Sequence, residues 1–195
     1  MKSLFLIFTM LSSQVCINAQ IEAGFKMGLS FSNLRPDCQG VDCPYTRVLP
    51  GVLFGLTMDI PLDDDLTLQP ELFYVTKGFE GRPDLTSAEI VNYVALPIML
   101  NYQVTPRLGL KAGPEYSYEF NHLLLNGTSI RDVTEDTIRK FDTSLSIGFC
   151  IQLNYRWYLD LRYTEGLSLF AVDEPRPKYR SVYLSFNRLL EVKGD

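Results

Sequence analysis

The stretch FDTSLSIGFCIQLNYRWYLDLRYT, residues 141–164, decides the fold of this chain. Apolar and polar side chains alternate from Phe141 to Leu153, and after a break at residues 154–156 they alternate again to Thr164. A period of two places the two sets on opposite faces of a strand, so the stretch predicts a β-hairpin. Its apolar face is long and ends in aromatic residues, which is typical of strands that face lipid.

The same alternation recurs along the rest of the chain and predicts six further strands. The eight strands are predicted at residues 20–32, 48–60, 66–78, 91–104, 107–120, 141–153, 157–164 and 179–190. Short and long connections alternate between them, which is typical of outer-membrane barrels with short periplasmic turns and longer external loops. We therefore predict an all-β fold, an eight-stranded antiparallel up-and-down transmembrane β-barrel. A soluble lipocalin-like barrel is the alternative, but the polar face is rich in glycine and serine, which fit a crowded lumen.

The N-terminal segment, residues 1–19, has the features of a secretory signal peptide. Lys2 gives a positive start, residues 4–11 form an apolar run broken only by a threonine, and residues 17–19 offer a cleavage site. The run is shorter than the roughly 20 residues that a membrane-spanning helix needs. We predict a cleaved leader, a barrel domain at residues 20–195, and a location in the outer membrane of a Gram-negative bacterium.

Charge and cysteine usage narrow the possible partners. The chain has 18 basic and 23 acidic residues, a net charge of −5, without the clustered Lys and Arg that a nucleic-acid surface needs, so no nucleic acid is expected as a partner. Cys38 and Cys43 share a loop of an exported protein, which predicts a disulfide bond. Cys150 has inward parity and is predicted to be a buried, unpaired thiol. With His122 as the only histidine, we expect no metal and no cofactor.

Prolines fall inside four predicted strands, at Pro50, Pro70, Pro97 and Pro114. Each removes a hydrogen-bond donor from the sheet, and a closed barrel has no free edge to host it. We therefore expect bulges or shifted strand ends at these positions.

The segments around three of these prolines resemble a known family. QPELFY at residues 69–74, LPIML at 96–100 and GLKAGP at 109–114 are similar to motifs of the PorT-like outer-membrane β-barrel proteins of Bacteroidetes. The resemblance implies an eight-stranded barrel. The namesake of that family is similar to a factor needed by a dedicated secretion system, but membership alone does not transfer this role.

Five charged residues have inward parity near the middle of their strands: Lys26, Glu71, Lys111, Glu115 and Arg162. An eight-stranded barrel is only just wide enough for its own side chains to fill, so we expect opposite charges to pair there and plug the lumen. A charged pore lining or a proton path is the alternative.

These observations predict a small outer-membrane barrel with a plugged polar lumen and a structural or interaction role through its external loops, linked to secretion or envelope assembly. A narrow pore is the second hypothesis and a lipid-modifying enzyme the third. That enzyme would need a histidine beside a serine and an acid. Ser117, the serine nearest to His122, has the opposite parity, so no enzymatic activity is expected. The expected partners are outer-membrane lipid, the barrel-assembly machinery and an unidentified protein at the external loops. The apolar residues 123–125, 167, 169 and 170 of these loops fit either strand extensions or a partner surface.

Overall fold

The computed structural model describes residues 21–35, 47–80, 87–126, 129–132, 141–167 and 178–190. These residues form nine strands: β1 Glu22–Arg35, β2 Arg47–Pro61, β3 Leu66–Glu80, β4 Ser87–Thr105, β5 Leu108–Asn126, β6 Ser129–Asp132, β7 Phe141–Gln152, β8 Trp157–Gly166 and β9 Lys178–Leu190. No helix in this part of the chain is long and apolar enough to cross a membrane.

Eight of the strands close a barrel through antiparallel pairing of neighbours. Around the wall their order is β4, β3, β2, β1, β9, β8, β7 and β5, and the pairing of β4 with β5 completes the ring. The short strand β6 lies outside the ring and pairs with the end of β5, where Leu123 is opposite Asp132. The predicted eight-stranded antiparallel barrel is confirmed, whereas β6 is an addition that the sequence pattern does not predict.

The two faces of the wall differ as the alternation predicts. In β7 the side chains of Leu145 and Ile147 are 48% and 54% exposed, whereas Ser144 and Ser146 beside them are 1% and 0% exposed. A soluble barrel would bury the apolar set and expose the polar one. The outward apolar band and inward polar set are the arrangement of a barrel whose outer face contacts lipid.

The connections differ in length at the two ends of the barrel. One end has the short connections 62–65, 106–107 and 153–156, together with the start of β1 and the end of β9. Short turns are typical of the periplasmic side, so we assign this end to the periplasm. At the opposite, external end, β1 and β2 are separated by residues 36–46 and β8 and β9 by residues 167–177.

Strands β4 and β5 are the longest, with 19 residues each, and this corrects two predicted loops. The loop expected at residues 121–140 begins within β5, because Leu123 pairs with Ile90 of β4. The loop expected at residues 79–90 is likewise shortened by the ends of β3 and β4. The apolar residues 123–125 therefore belong to a strand extension, one of the two explanations that the sequence left open.

Each strand proline keeps its pairing with one neighbouring strand and loses it with the other. The retained pairs are Pro50 with Phe31, Pro70 with Ile98, Pro97 with Glu115 and Pro114 with Leu145. A strand residue directs its N–H to one neighbour only, so a proline costs one bond and leaves the ring closed. The register shifts beside Pro50, between Val48 and Leu53. The expected irregularity is therefore right for Pro50 and wrong for the other three, around which the register continues.

Candidate functional site

Five charged side chains meet in the middle of the lumen and form what we call the central cluster: Lys26, Glu71, Lys111, Asp160 and Arg162. They come from β1, β3, β5 and β8, where each occupies an inward position of the alternating pattern. None of them is more than 3% exposed. The cluster therefore holds full charges in the interior of the barrel.

Hydrogen bonds connect all five members of the central cluster. The Arg162 guanidinium donates two bonds to the Glu71 carboxylate, at 3.0 and 2.8 Å, and the Lys26 ammonium donates a third at 2.7 Å. Asp160 accepts from Lys111 at 2.6 Å and from Arg162 at 3.2 Å. Its Oδ2 also lies 3.8 Å from Lys26 Nζ. Each carboxylate thus contacts at least two cations.

The balance of charges in the cluster is uneven. Three cations face two carboxylates, which leaves the central cluster with one excess positive charge. Transfer of an ion out of water costs several kcal/mol, which the interior recovers only through close, hydrogen-bonded counter-charges. The contact between Arg162 and Glu71 is bidentate, and bidentate pairs of this kind are among the strongest hydrogen bonds in proteins. Loss of a carboxylate should therefore lower the free energy of unfolding more than loss of one cation.

A second ion pair, which we call the upper pair, lies nearer the external end and consists of Lys77 and Glu115. Lys77 Nζ donates to Glu115 Oε1 at 3.1 Å, and the two residues are 1% and 0% exposed. Lys77 also lies over the ring of Tyr93, 5.0 Å from its centroid. Glu115 accepts further hydrogen bonds from Tyr183 at 3.1 Å and from Ser117 and Ser146 at 3.4 Å each.

An apolar layer adjoins the upper pair on the inward faces of β2, β3, β4 and β9. It consists of Leu53, Phe73, Val75, Val91, Tyr93, Ala95 and Tyr183, none more than 4% exposed. The rings of Phe73 and Tyr183 meet edge to face with centroids 6.0 Å apart. This layer is a departure from the uniformly polar inward face that the sequence predicts. The signal was available, because Phe73 and Val75 occupy inward positions in the alternation of β3.

His122 lies near the external end on the inward face, as Ser117 does, so the predicted opposite parity of these two residues is wrong. The β4–β5 register shifts between the pairs Tyr93–Glu119 and Asn92–Asn121, so β5 contains one extra residue there. The extra residue reverses the parity, and His122 is paired with the buried Val91 on the inward face. His122 Nε2 lies 2.7 Å from a Glu89 oxygen and its Nδ1 lies 3.3 Å from a Glu119 oxygen.

The sequence itself places this barrel in a family. Residues 13–171 match the family model described as outer membrane protein beta-barrel domain, which covers more than half of the chain. The chain belongs to the outer membrane protein beta-barrel domain family. It is therefore a protein of the outer membrane of a Gram-negative bacterium, as predicted, and its exposed apolar band contacts the lipid bilayer.

Two solved structures show the same fold. Neisserial surface protein A (NspA) is similar with a TM-score of 0.58 and 8% sequence identity, over 85% of this chain and 96% of that chain. The attachment invasion locus protein Ail of Yersinia pestis, in complex with the heparin analogue sucrose octasulfate, has a TM-score of 0.51 and 12% identity, over 87% of this chain and 99% of that chain. No curated protein sequence matches at a significant level.

The structure buries all five predicted lumen residues of this family member but divides them between two groups. Lys26, Glu71, Lys111 and Arg162 lie in the central cluster, whereas Glu115 belongs to the upper pair. The predicted set lacks Asp160 and Lys77, although the alternation places both of them inward. The alternation therefore predicts which charged residues face the lumen, but it does not predict which of them form ion pairs with each other.

Other predicted features lie wholly or partly outside the described residues. The disulfide between Cys38 and Cys43 and the leader at residues 1–19 fall there and stay predictions.

Cys150 lies within the described residues. It is a free, buried cysteine whose thiol lies 3.5 Å from the Asn101 side-chain oxygen. Within the described ranges no group of three or more His, Cys, Asp or Glu residues could hold a metal ion.

Proposed function

We propose that this family member is a non-conducting barrel that acts as a structural or interaction protein through its external loops. The observation that carries the proposal is the filled lumen, in which the central cluster, the upper pair and the apolar layer are all buried. An eight-stranded barrel leaves an interior that its own side chains can fill. We assign specific recognition to the external end, where the longer connections between strands lie.

The order of these layers argues against ion passage. An ion entering from the periplasm meets the central cluster, where both carboxylates are already engaged by cations. Beyond it lies the apolar layer, and an apolar constriction excludes ions because it holds no water to solvate them. Movement of the side chains out of the way would break buried ion pairs, at a cost of several kcal/mol for each.

Planar-bilayer recording tests this proposal. The purified folded protein should give no stable unitary current under conditions in which a wide porin, inserted in the same membrane, conducts. A steady unitary current would contradict the proposal and favour the narrow pore, above all if Glu115→Gln changed its ion selectivity while the stability of the protein stayed unchanged.

We further propose that the protein is not an enzyme. Support comes from the surroundings of His122, whose two ring nitrogens face carboxylates of Glu89 and Glu119. A lipid-hydrolysing site would instead need a serine within hydrogen-bond reach of that histidine. Incubation of the folded protein with outer-membrane phospholipid and lipopolysaccharide should release no fatty acid. Fatty-acid release that disappears in His122→Ala would contradict this proposal.

We also propose membership of the PorT-like branch, with a link to secretion or envelope assembly and insertion by the barrel-assembly machinery. The support is the set of motifs at residues 69–74, 96–100 and 109–114, which lie on the adjacent strands β3, β4 and β5 and carry three of the strand prolines. A deletion strain should accumulate secreted proteins in its periplasm. Unchanged secretion and an unchanged envelope in that strain would leave the interaction role without this link and contradict the proposal.

A further inference from the structure

The single histidine of the chain lies between two carboxylates at the external end of the lumen. His122 Nε2 lies 2.7 Å from a Glu89 oxygen, and its Nδ1 lies 3.3 Å from a Glu119 oxygen. The histidine and Glu119 belong to β5, whereas Glu89 belongs to β4. The His122 side chain is only 12% exposed. The three side chains thus form a largely enclosed group that connects the two strands.

The second observation is that one ring nitrogen of His122 is buried without a hydrogen bond. Its Nδ1 atom has no hydrogen-bond partner within the described part of the chain. A neutral imidazole has one N–H donor, so it can serve only one of two carboxylates, and its other nitrogen is an acceptor. With the proton on Nε2, that acceptor faces the Glu119 oxygen, which is also an acceptor. An imidazolium ring has two donors and can serve both carboxylates.

The other titratable groups in this part of the lumen come from four neighbouring strands. Lys77 of β3 is engaged in the upper pair. Tyr93 of β4 and Tyr179 of β9 meet edge to face with centroids 6.5 Å apart, and Asp142 of β7 faces the lumen below them. Carboxylates ordinarily titrate near about pH 4, and tyrosine and lysine near about pH 10. Histidine is the side chain suited to change its charge between about pH 6 and 8.

The position of His122 exposes it to the external medium rather than to lipid. Strand β5 begins at Leu108 beside a periplasmic turn and continues for 19 residues. A transmembrane strand needs only about 9–11 residues, so the part from Glu119 onward lies at or beyond the external surface of the bilayer. This extension pairs with β4 and also carries β6, which pairs with Leu123–Asn126.

We propose that His122 is a proton-dependent clasp that holds the external extensions of β4 and β5 together. The protonated ring donates to Glu89 across the strand pair and to Glu119 on its own strand. Both carboxylates bind the proton more tightly in the closed extension than in an opened one. The stabilisation is therefore fully present at low pH and is lost as the pH rises through the range of histidine. Control of recognition by the clasp rests on the proposed function of the external end, whereas the clasp itself does not.

Because His122 is the only histidine, its ring can be observed directly by ¹⁵N NMR of the folded protein purified without a histidine tag. At about pH 6 both ring nitrogens should give the signals of N–H groups, and at about pH 8 one of them should lose its proton. Amide hydrogen exchange of residues 88–91 and 122–125, corrected for the intrinsic rate, should be about ten-fold slower at the lower pH. Residues 108–112, at the opposite end of β5, should show no such difference.

Matched variants assign the effect to the clasp. His122→Gln should abolish the pH dependence of exchange, and Glu119→Gln should reduce it as a second test if the first variant folds poorly. Glu165→Gln, which removes a carboxylate paired with Arg180 on the outer face, should leave it unchanged. A neutral ring at about pH 6, equal protection at both pH values, or a pH dependence that survives in His122→Gln would overturn the proposal. These measurements need neither a partner nor a current, so their failure is distinct from failure of the proposed function.

Discussion

Glu115→Gln is the sharpest single perturbation of the lumen, because Lys77 forms an ion pair with one carboxylate among the described residues. The substitution keeps the size of the side chain and its contacts with Tyr183 and the nearby serines, and removes only the charge. Lys77 would then remain 1% exposed, with the Tyr93 ring at 5.0 Å as a favourable contact and with the Asp142 carboxylate too far away to form an ion pair. A cation–π contact supplies about 2 kcal/mol at best. Removal of one partner of a buried ion pair typically costs about 3–5 kcal/mol, so we expect a loss in that range.

Replacement of Lys77, alone and together with Glu115→Gln, shows how much of the loss comes from the unpaired charge. Lys77→Met should cost less than Glu115→Gln, because the remaining carboxylate still accepts hydrogen bonds from three hydroxyl groups. The double variant buries no unpaired charge and should lose only about 1–2 kcal/mol, the cost of leaving polar groups unsatisfied. The sum of the two single losses should therefore exceed the loss in the double variant by about 3 kcal/mol.

Urea unfolding in phospholipid vesicles, followed by Trp157 fluorescence, measures these free energies, and constant slopes with denaturant confirm that the variants unfold between comparable states. Asp64→Asn is a suitable control, since Asp64 is exposed in the connection 62–65 and forms no ion pair within the described residues. It should cost clearly less than Glu115→Gln. Single losses below about 1 kcal/mol, or losses that add within about 0.5 kcal/mol, would refute the buried-pair reasoning.

Three further results are expected. Glu71→Gln should lower the free energy of unfolding by about 3–5 kcal/mol, and Lys26→Met by less, because the central cluster has one excess cation; the reverse order in urea unfolding would contradict the charge balance. On the outer face, Ile147→Arg should cost about 2–4 kcal/mol near the bilayer midplane, whereas the cost of Ser146→Arg should not depend on bilayer thickness; the same dependence on thickness for both would mean that the faces are wrongly assigned. Thiol labelling of the unreduced, mature protein should detect only Cys150, and only after unfolding; two additional reactive cysteines would exclude the predicted loop disulfide.

The alternation of side chains was enough to predict the strands, their faces and the barrel. This pattern is local, because successive side chains of any strand point to opposite sides whatever the partner strand is. It assigned Leu145 and Ile147 to the lipid and Arg162 to the lumen without knowledge of any contact. The prediction failed where the alternation is interrupted. One extra residue in β5 near Phe120 reversed the face of the residues that follow it in that strand, including His122.

The pairing of charges within the lumen was decided only by the closed barrel. Glu71 and Arg162 are 91 positions apart in the chain, and Lys77 and Glu115 are 38 apart, so no local pattern relates them. Which inward side chains meet depends on the stagger of the strands around the ring, a property of the closed sheet as a whole. Closure also brought Phe25 of β1 and Trp157 of β8 into edge-to-face contact across β9, although these residues lie far apart in the chain. The sequence alone thus determined whether a side chain faces the lipid or the lumen, because this direction follows from the alternation along a single strand. The tertiary structure determined which side chains contact each other in the lumen, because these contacts require the closed ring of eight strands.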